Sequence, residues 1–278
     1  MNISKFSYAY SRHGLIGFLN VLIGKIGFKY RFKTPIDKII NYHCCKIEKF
    51  ANNKILGGFY KNTYLEINKN WSSYDASSKF LGLYELEVQK EIFDIQKNKI
   101  LNKKYFINLG AGEGFHLVGT IYKKIFNKGI AFEIDENAKK ILHKNLIKNK
   151  LNKKVEIFDK AENDFLENLE TKKIKLKECL FLFDIEGDEF KILNNKNLNK
   201  LNKSILIIEI HDFYFPPKKF INKLSKKFKL KILTTGNRNL SDFEFLANMH
   251  DTEKWLLVNE GRPKKMQWIV CMPKKNEN

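Results

Sequence analysis

Acidic side chains and one histidine end two apolar runs in the middle of the chain. Asp184 and Glu186 close the run that begins at Cys179, and Glu209 and His211 close the next one. Carboxylates after a buried strand are costly unless solvent, a partner or a ligand compensates them. If both runs are parallel strands, their carboxyl ends share one sheet edge and the four side chains converge on a cleft. Such a group can act as a general base, with His211 the first candidate because its pKa lies near neutrality and Asp184 the second.

Other interpretations of this acidic group remain open at the level of sequence. Several of its members can cap helices or face water. Mixed carboxylate–imidazole sets such as Asp184, Glu209 and His211 also bind transition metals. Nothing in the spacing requires a metal, and we expect none.

A glycine-rich turn stands further upstream. Residues 108–114 are Asn-Leu-Gly-Ala-Gly-Glu-Gly and end the apolar run 105–109. Glycines allow a tight turn and close backbone approach to a ligand, and the helix that follows offers free N–H groups. The GxGxG spacing differs from the GxGxxG of dinucleotide-binding dehydrogenases, which disfavours an NAD-dependent enzyme. The residues expected to border a cofactor are Asn108, Gly110, Gly112 and Gly114.

A second acidic pair ends the next apolar run. Glu133 and Asp135 lie at its tip, where a carboxylate can accept hydrogen bonds from both ribose hydroxyls of an adenosine. Asp135 fits the cap of the following helix better, because Asp is favoured there. We therefore expect Glu133 to bind the ribose and Asp135 to border the same site.

The elements that position these residues alternate regularly from Tyr105 onward. Apolar runs of four to seven residues fit strands buried on both faces, and their alternation with helical patterns predicts a mostly parallel, doubly wound sheet. The expected strands are 105–109, 129–134, 155–158, 179–185, 204–210, 230–233 and 267–272. The expected helices are 114–127, 136–149, 162–171, 187–200 and 216–228, with short ones at 241–249 and 252–259.

The order of these motifs resembles the FkbM-type family of S-adenosylmethionine-dependent methyltransferases, over roughly residues 80 to 272. The distinctive features are the run Asp184-Ile185-Glu186-Gly187-Asp188-Glu189 and the strand ending Glu209-Ile210-His211. The resemblance implies a Rossmann-like class I methyltransferase fold: a seven-stranded sheet whose last strand, 267–272, is antiparallel. It also implies S-adenosylmethionine as cofactor and transfer to a hydroxyl of a glycan, glycolipid or other natural product.

One position departs from the family pattern. The residue two before the first glycine is commonly acidic in these enzymes, and here it is Asn108, which supplies no charge. We expect weaker cofactor binding, or compensation by Glu85 or Glu113. The resemblance also places Ala161, after the third strand, and Asp184 at the cofactor, and leaves Glu186 and Glu209 for the substrate.

Arg262 stands in a turn before the last strand and is one of only four arginines. Its planar donors suit a carboxylate or phosphate on the acceptor, or an ion pair with Glu186 or Glu209 across the cleft. The alternative is an exposed side chain in a turn made by Gly261 and Pro263.

The chain has 278 residues and a net charge of +20, from 51 basic and 31 acidic residues. This charge favours acidic partners such as nucleic acid, anionic lipid or phosphorylated glycan. Lysine accounts for 47 of the basic residues, whereas a phosphate-reading surface is expected to use more arginine. We expect a small-molecule, glycan or glycolipid acceptor, with nucleic acid disfavoured by the lack of a stacking segment or separate binding module. An RNA or DNA methyltransferase is the first alternative, and a non-catalytic membrane-associated protein that retains the fold is the second.

Residues 1–75 are expected to form a helical extension and residues 76–278 the methyltransferase domain. No apolar run reaches the ~18–20 residues of a membrane span. The run 15–24 predicts a helix that packs on the body. A helix in a membrane interface is the second interpretation, favoured by ten basic and two acidic residues in the first 60. The core of a cleaved signal peptide is the third, although no small-x-small cleavage site follows. Four cysteines without a CxxC pair suggest a reducing, cytoplasmic setting, with peripheral contact at the inner membrane face as a further expectation.

Overall fold

The computed structural model describes residues 3–26, 32–67, 75–97, 103–211, 217–262 and 266–274. The strands are β1 (Tyr105–Leu109), β2 (Lys128–Phe132), β3 (Val155–Phe158), β4 (Cys179–Phe183), β5 (Ile205–Glu209), β6 (Phe228–Thr234) and β7 (Gln267–Pro273). The helices are α1 (Ile3–Lys25), α2 (Pro35–Ala51), α3 (Ala76–Leu81), α4 (Leu86–Lys97), α5 (Phe115–Tyr122), α6 (Glu136–Lys148), α7 (Phe165–Thr171), α8 (Glu189–Ile192), α9 (Asn195–Lys200), α10 (Pro217–Ser225) and α11 (Asp251–Leu257). All seven strand predictions are confirmed, with ends that differ by at most two residues.

The seven strands form one sheet in the order β3-β2-β1-β4-β5-β7-β6. The first five run parallel, and β7 is antiparallel to both of its neighbours, β5 and β6. Leu109 lies opposite Phe132 and Phe183, so the residues after β1, β2 and β4 leave the sheet at the same edge. The predicted fold class and the predicted antiparallel strand are both confirmed.

Alternate residues of each central strand enter two separate cores, as expected for a sheet covered on both faces. Phe106 and Leu180 face one core, whereas Ile107 and Phe181 face the other. The first core also contains Tyr60 and other side chains of α2 and of the segment that follows it. The boundary expected at residue 75 therefore does not coincide with a break in the packing.

Several helical predictions differ from the structure. The helix expected at 114–127 already ends at Tyr122, and the one expected at 162–171 begins at Phe165. The pattern at 187–200 forms two short helices, because Asn194 interrupts it and caps α9 by accepting a 3.0 Å hydrogen bond from the Asn197 amide. The pattern at 241–249 forms only a 3-10 turn at Glu244–Leu246. No helix within the described ranges has both the length and the hydropathy to cross a bilayer.

Candidate active site at the carboxyl edge of the sheet

The glycine loop between β1 and α5 takes backbone conformations that only glycine adopts readily. Gly110 has φ +78°, and a Cβ there would lie 1.7 Å from the carbonyl oxygen of Asp184. Gly112 has φ +53° and nothing within 4 Å of the same position. Gly110 therefore lets the loops after β1 and β4 touch, and Gly112 leaves room for a ligand against the backbone.

Glu133, at the tip of β2, holds this loop. Its Oε2 accepts a 2.6 Å hydrogen bond from the Gly112 amide, and its Oε1 accepts a 2.8 Å hydrogen bond from the Asp135 amide. Asp135 caps α6, because its Oδ1 accepts from the Ala138 amide at 2.7 Å. The expected cap is thus confirmed, and Glu133 is a fixed carboxylate with one oxygen turned toward the loop.

A cavity of about 350 Å³ lies between these loops and the start of α3. The predicted site residues that line it are Glu85, Asn108, Gly110, Gly112, Glu133, Asp135, Ala161, Asp184 and Glu186. The predicted site residues that do not line it are Gly114, Glu209, His211 and Arg262. The position of Gly114 is set by packing. A Cβ on Gly114 would lie 2.4 Å from the Leu142 side chain, so this glycine is required where α5 meets α6.

A charged pair in the cavity wall was missed by the sequence analysis. The Lys79 ammonium lies 2.8 Å from Asp75 Oδ2 and 2.6 Å from Glu113 Oε1, and all three residues are buried. Burial alone would lower the pKa of Lys79, but the charges of Asp75 and Glu113 raise it, so the lysine stays charged. Asp75 Oδ1 is buried and has no hydrogen-bond partner. The spacing of four residues between Asp75 and Lys79 is typical of an ion pair on a helix. This spacing does not indicate whether the pair faces a cavity.

The two carboxylates expected to compensate for Asn108 are both engaged elsewhere. Glu113 pairs with Lys79, and Glu85 accepts from His116 Nε2 at 2.9 Å and from Arg262. Burial would raise the pKa of Glu85, but the charge of Arg262 and the hydrogen bond from His116 lower it to about 2. Asp75, in contrast, keeps one buried oxygen without a hydrogen-bond partner among the described residues.

Arg262 lies at the centre of a buried group of carboxylates. Its Nη1 donates to Glu209 at 2.5 Å, its Nε donates to Glu260 at 2.8 Å, and its Nη2 donates to Glu85. The guanidinium carbon lies 5.1 Å from the centroid of the Trp268 ring, within cation–π range. The ion pair with Glu209 is thus confirmed. The expectation of an exposed Arg262 is wrong, because only 15% of its side chain is accessible. Pro263 of the expected turn lies outside the described residues.

The network continues away from the cavity. Arg238 forms ion pairs with Glu87, at 2.5 Å, and with Glu260, at 3.0 Å. On the other side, the Tyr60 hydroxyl lies 3.2 Å from His116 Nδ1. Sequence alone offered no signal for these contacts, since Arg238 and Glu87 are 151 positions apart and Tyr60 and His116 are 56 apart.

The acidic residues after β4 and the histidine after β5 do meet. His211 Nε2 lies 3.6 Å from Asp184 and 3.7 Å from Glu186, and its Nδ1 lies 3.0 Å from Glu189 Oε1. Glu189 is fully buried and was not predicted as a site residue. The predicted convergence is confirmed, and Glu189 fixes the imidazole so that Nε2 faces the two carboxylates.

These contacts shift the acid–base properties of the group. Burial and the charge of Glu85 raise the pKa of Asp184 to about 8, and burial and the charge of Asp184 raise that of Glu209. Burial would lower the pKa of His211, but the hydrogen bond and charge of Glu189 raise it above its ordinary value. The site therefore holds protons near neutral pH.

Two sets of three side chains place one donor atom each within 4.8 Å of one another: Asp184, Glu186 and His211, and Glu85, Asp184 and Glu209. In the second set Arg262 already forms ion pairs with two of the carboxylates, Glu85 and Glu209. In the first set His211 Nε2 faces the carboxylates of Asp184 and Glu186.

No protein-family model matches the chain, and no curated protein matches it significantly. The fold is nevertheless shared with solved structures. The METTL16 MTase domain has 11% sequence identity and a TM-score of 0.53, and the alignment covers 97% of this chain and 92% of that one. A human methyltransferase 10 domain containing protein has 10% identity and a TM-score of 0.50, over 86% of this chain and 98% of that one. The fold is Rossmann-like and of the methyltransferase type.

Removal of Arg262 should destabilise the protein strongly. Arg262→Met leaves buried Glu85, Glu209 and Glu260 without their shared cation, and breaking a buried pair costs about 3–5 kcal/mol in the free energy of unfolding. Denaturant unfolding measures this loss. Lys200→Met is the matched control, because it removes a surface pair with Glu170 that contributes about 0–1 kcal/mol. Equal losses in the two variants would contradict the central role of Arg262.

Asp184 should make stability depend on pH in a defined direction. Its pKa rises from 3.8 in the unfolded chain to about 8 in the folded one, so its contribution is complete below pH 3.8 and is lost toward pH 8. The Asp184→Asn variant has no carboxyl to titrate at this position. The melting temperature of the variant minus that of the parent protein should therefore increase as pH rises through this window. Parallel melting curves would contradict the raised pKa.

Proposed function

We propose that the protein is an S-adenosylmethionine-dependent methyltransferase that acts on a hydroxyl group. One observation carries the proposal: the cavity brings together an open glycine turn, a fixed carboxylate at the tip of β2 and a buried Asp75–Lys79 pair. The glycine turn leaves room for a ligand against the backbone, the carboxylate is complementary to ribose hydroxyls, and the Asp75–Lys79 pair is complementary to the ammonium and carboxylate of the amino-acid part. The shared fold supports the same conclusion.

Different residues of the cavity wall would bind different groups of the cofactor. Glu133 would accept hydrogen bonds from the ribose hydroxyls, and Gly112 leaves space for the ligand to approach the loop. The free Oδ1 of Asp75 would accept from the ammonium group, while Lys79 would offer charge to the carboxylate. Asp75 thereby supplies the negative charge that Asn108 lacks. Ala161 would border the adenine side.

When bound, S-adenosylmethionine supplies an electrophilic methyl group on a sulfonium. The protein must then orient the acceptor hydroxyl and remove its proton. His211 Nε2 is the base, with Nδ1 held by Glu189, and Asp184 and Glu186 lie close enough to hold the hydroxyl toward it. Positioning provides most of the acceleration in such a displacement. A direct contact of Arg262 or Glu209 with the acceptor stays a prediction.

The acceptor class rests on the FkbM-type resemblance, which favours a glycan, glycolipid or other natural product. The net charge of +20 favours an RNA or DNA acceptor as the second candidate. Incubation with labelled cofactor and separate glycan, lipid and RNA fractions, followed by mass spectrometry for the gain of one methyl group, distinguishes them. Absence of both cofactor binding and transfer would support the non-catalytic alternative.

The assignment of the cofactor residues predicts a ligand-dependent effect. Asp75→Asn should weaken S-adenosylmethionine and S-adenosylhomocysteine on the order of tenfold, because a charged hydrogen bond to the ammonium is lost. Methylthioadenosine lacks the amino-acid group and should bind this variant unchanged. Glu133→Ala should weaken all three ligands, which share the ribose. Isothermal titration calorimetry measures each affinity.

Asp94→Asn is the control for this series, since Asp94 forms a surface pair with Lys90 on α4. It should leave all three affinities unchanged. If Asp75→Asn weakens methylthioadenosine as much as the cofactor, Asp75 supports the fold rather than the amino-acid group.

The proposed base predicts a pH shift. Since Glu189 raises the pKa of His211, kcat/KM should increase with pH until the imidazole loses its proton. Glu189→Gln should move this rise to lower pH. NMR titration of the His211 ring should move in the same direction without any acceptor present. An unchanged titration in Glu189→Gln would remove Glu189 as the group that sets this pKa.

A further inference from the structure

The N-terminal helix folds back on itself. Gly14, with φ +60° and ψ −150°, breaks α1 into two arms. The rings of Phe6 and Phe18 lie 5.1 Å apart, and Lys25 Nζ lies 4.3 Å from the Phe6 ring centroid. A straight helix would separate Phe6 from Phe18 by about 18 Å, at 1.5 Å per residue. Residues 3–26 therefore form a compact N-terminal hairpin.

This N-terminal hairpin is apolar but poorly covered. Among the α1 residues whose burial is described, only Phe6 and Gly17 are buried. Leu15 is 64% exposed, and Tyr10, Phe18, Leu22 and Ile26 are exposed as well. An apolar surface of this kind on a folded chain marks an interaction site.

A second exposed apolar surface lies on α2, α11 and the 3-10 turn at Glu244–Leu246. His43 Nε2 of α2 lies 3.3 Å from Glu253 Oε1 of α11. We name this surface the aromatic patch; it consists of Tyr42, Phe50, Phe245 and Trp255, all exposed. Phe50 stacks on Phe245 at 4.3 Å between centroids. Two hydrogen bonds, of 2.8 and 2.7 Å, tie Asn20 of the hairpin to the Phe32 backbone just before α2. The hairpin and the helix that carries the patch are thus fastened together.

Basic side chains accompany these apolar surfaces. The first 60 residues contain ten basic and two acidic residues. Lys33, Lys38 and Lys46 are exposed, and Lys46 Nζ lies 4.3 Å from the Tyr42 ring centroid. Lysine is depleted from protein–protein interfaces, whereas lysine with tyrosine and tryptophan is typical of membrane interfaces. The charge is complementary to an anionic lipid surface.

We propose that the N-terminal hairpin and the aromatic patch bind the surface of an anionic lipid bilayer. The apolar side chains enter the interface, and the lysines contact the headgroups without any helix crossing the membrane. This binding requires neither cofactor nor acceptor. Lipid binding would bring the protein to acceptors in the membrane. The test of lipid binding does not depend on whether the proposed methyl transfer is correct.

The test is flotation of the full chain with phosphatidylcholine vesicles, with and without phosphatidylserine. We expect binding to the phosphatidylserine vesicles and its weakening at high salt, because surface charges are screened. Leu15→Glu/Leu22→Glu should reduce the partition coefficient about tenfold or more. Lys33→Gln/Lys38→Gln/Lys46→Gln should reduce it about fivefold per lysine at low salt.

The matched control is Ile147→Glu/Ile232→Glu, which changes two similarly exposed apolar residues on α6 and β6. It should float like the parent protein, and equal melting temperatures establish that all variants fold. Equal binding to neutral and anionic vesicles, or equal losses in the test and control pairs, would overturn the proposal. So would an oligomer, detected by light scattering, that Leu15→Glu/Leu22→Glu dissociates, since a second copy would then be the partner.

Discussion

The carboxyl edge of the sheet depends on one buried cation. Arg262 joins three carboxylates that come from distant parts of the chain: Glu85 before α4, Glu209 at the end of β5 and Glu260 before β7. None of these carboxylates could be buried there alone, because an unpaired charge in the interior is far more costly than a paired one. The guanidinium also lies near the Trp268 ring, which anchors its loop to the antiparallel strand β7. The geometry of the site therefore follows from this one ion cluster.

The cluster also explains why the proton-accepting side of the site differs from the cofactor side. Arg262 neutralises Glu85 and Glu209 only in part, because one cation faces two carboxylates. Burial and the charges of Glu85, Glu186 and Glu189 raise the pKa of Asp184, although a hydrogen bond with Glu209 lowers it. Burial would lower the pKa of His211, but its acidic neighbours, Glu189 above all, raise it. On the proposed cofactor side, the Lys79 ammonium contacts both Asp75 and Glu113 directly. The two neighbouring charge groups thus differ: Asp184 and His211 have raised pKa values, whereas Asp75, Lys79 and Glu113 form ion pairs.

The sequence predicted the features that depend on local residue patterns, and it did not predict contacts between residues that are distant in the chain. Apolar runs and strand-end acids identified all strands, the glycine loop, Glu133, and the meeting of Asp184 with His211. Asp75 and Lys79 were missed because a helical pair gives no sign of which cavity it faces. Glu189 was visible within its acidic run, but its burial against His211 depends on the turn after β4, where Glu186 takes φ +54°. Asn194 ended a helix that periodicity alone would have continued.

The N-terminal region shows the same dependence of function on long-range packing. Residues after α2 enter the core of the sheet, and the Tyr60 hydroxyl reaches His116, which in turn contacts Glu85. Helix α2 packs against α3, the helix that carries Lys79 into the cavity wall. The segment that bears the exposed hairpin therefore packs behind the wall of the proposed cofactor site without lining the cavity itself. Neither core of the sheet includes a described hairpin residue, so packing against the domain leaves Leu15, Phe18 and Leu22 exposed for the proposed lipid contact.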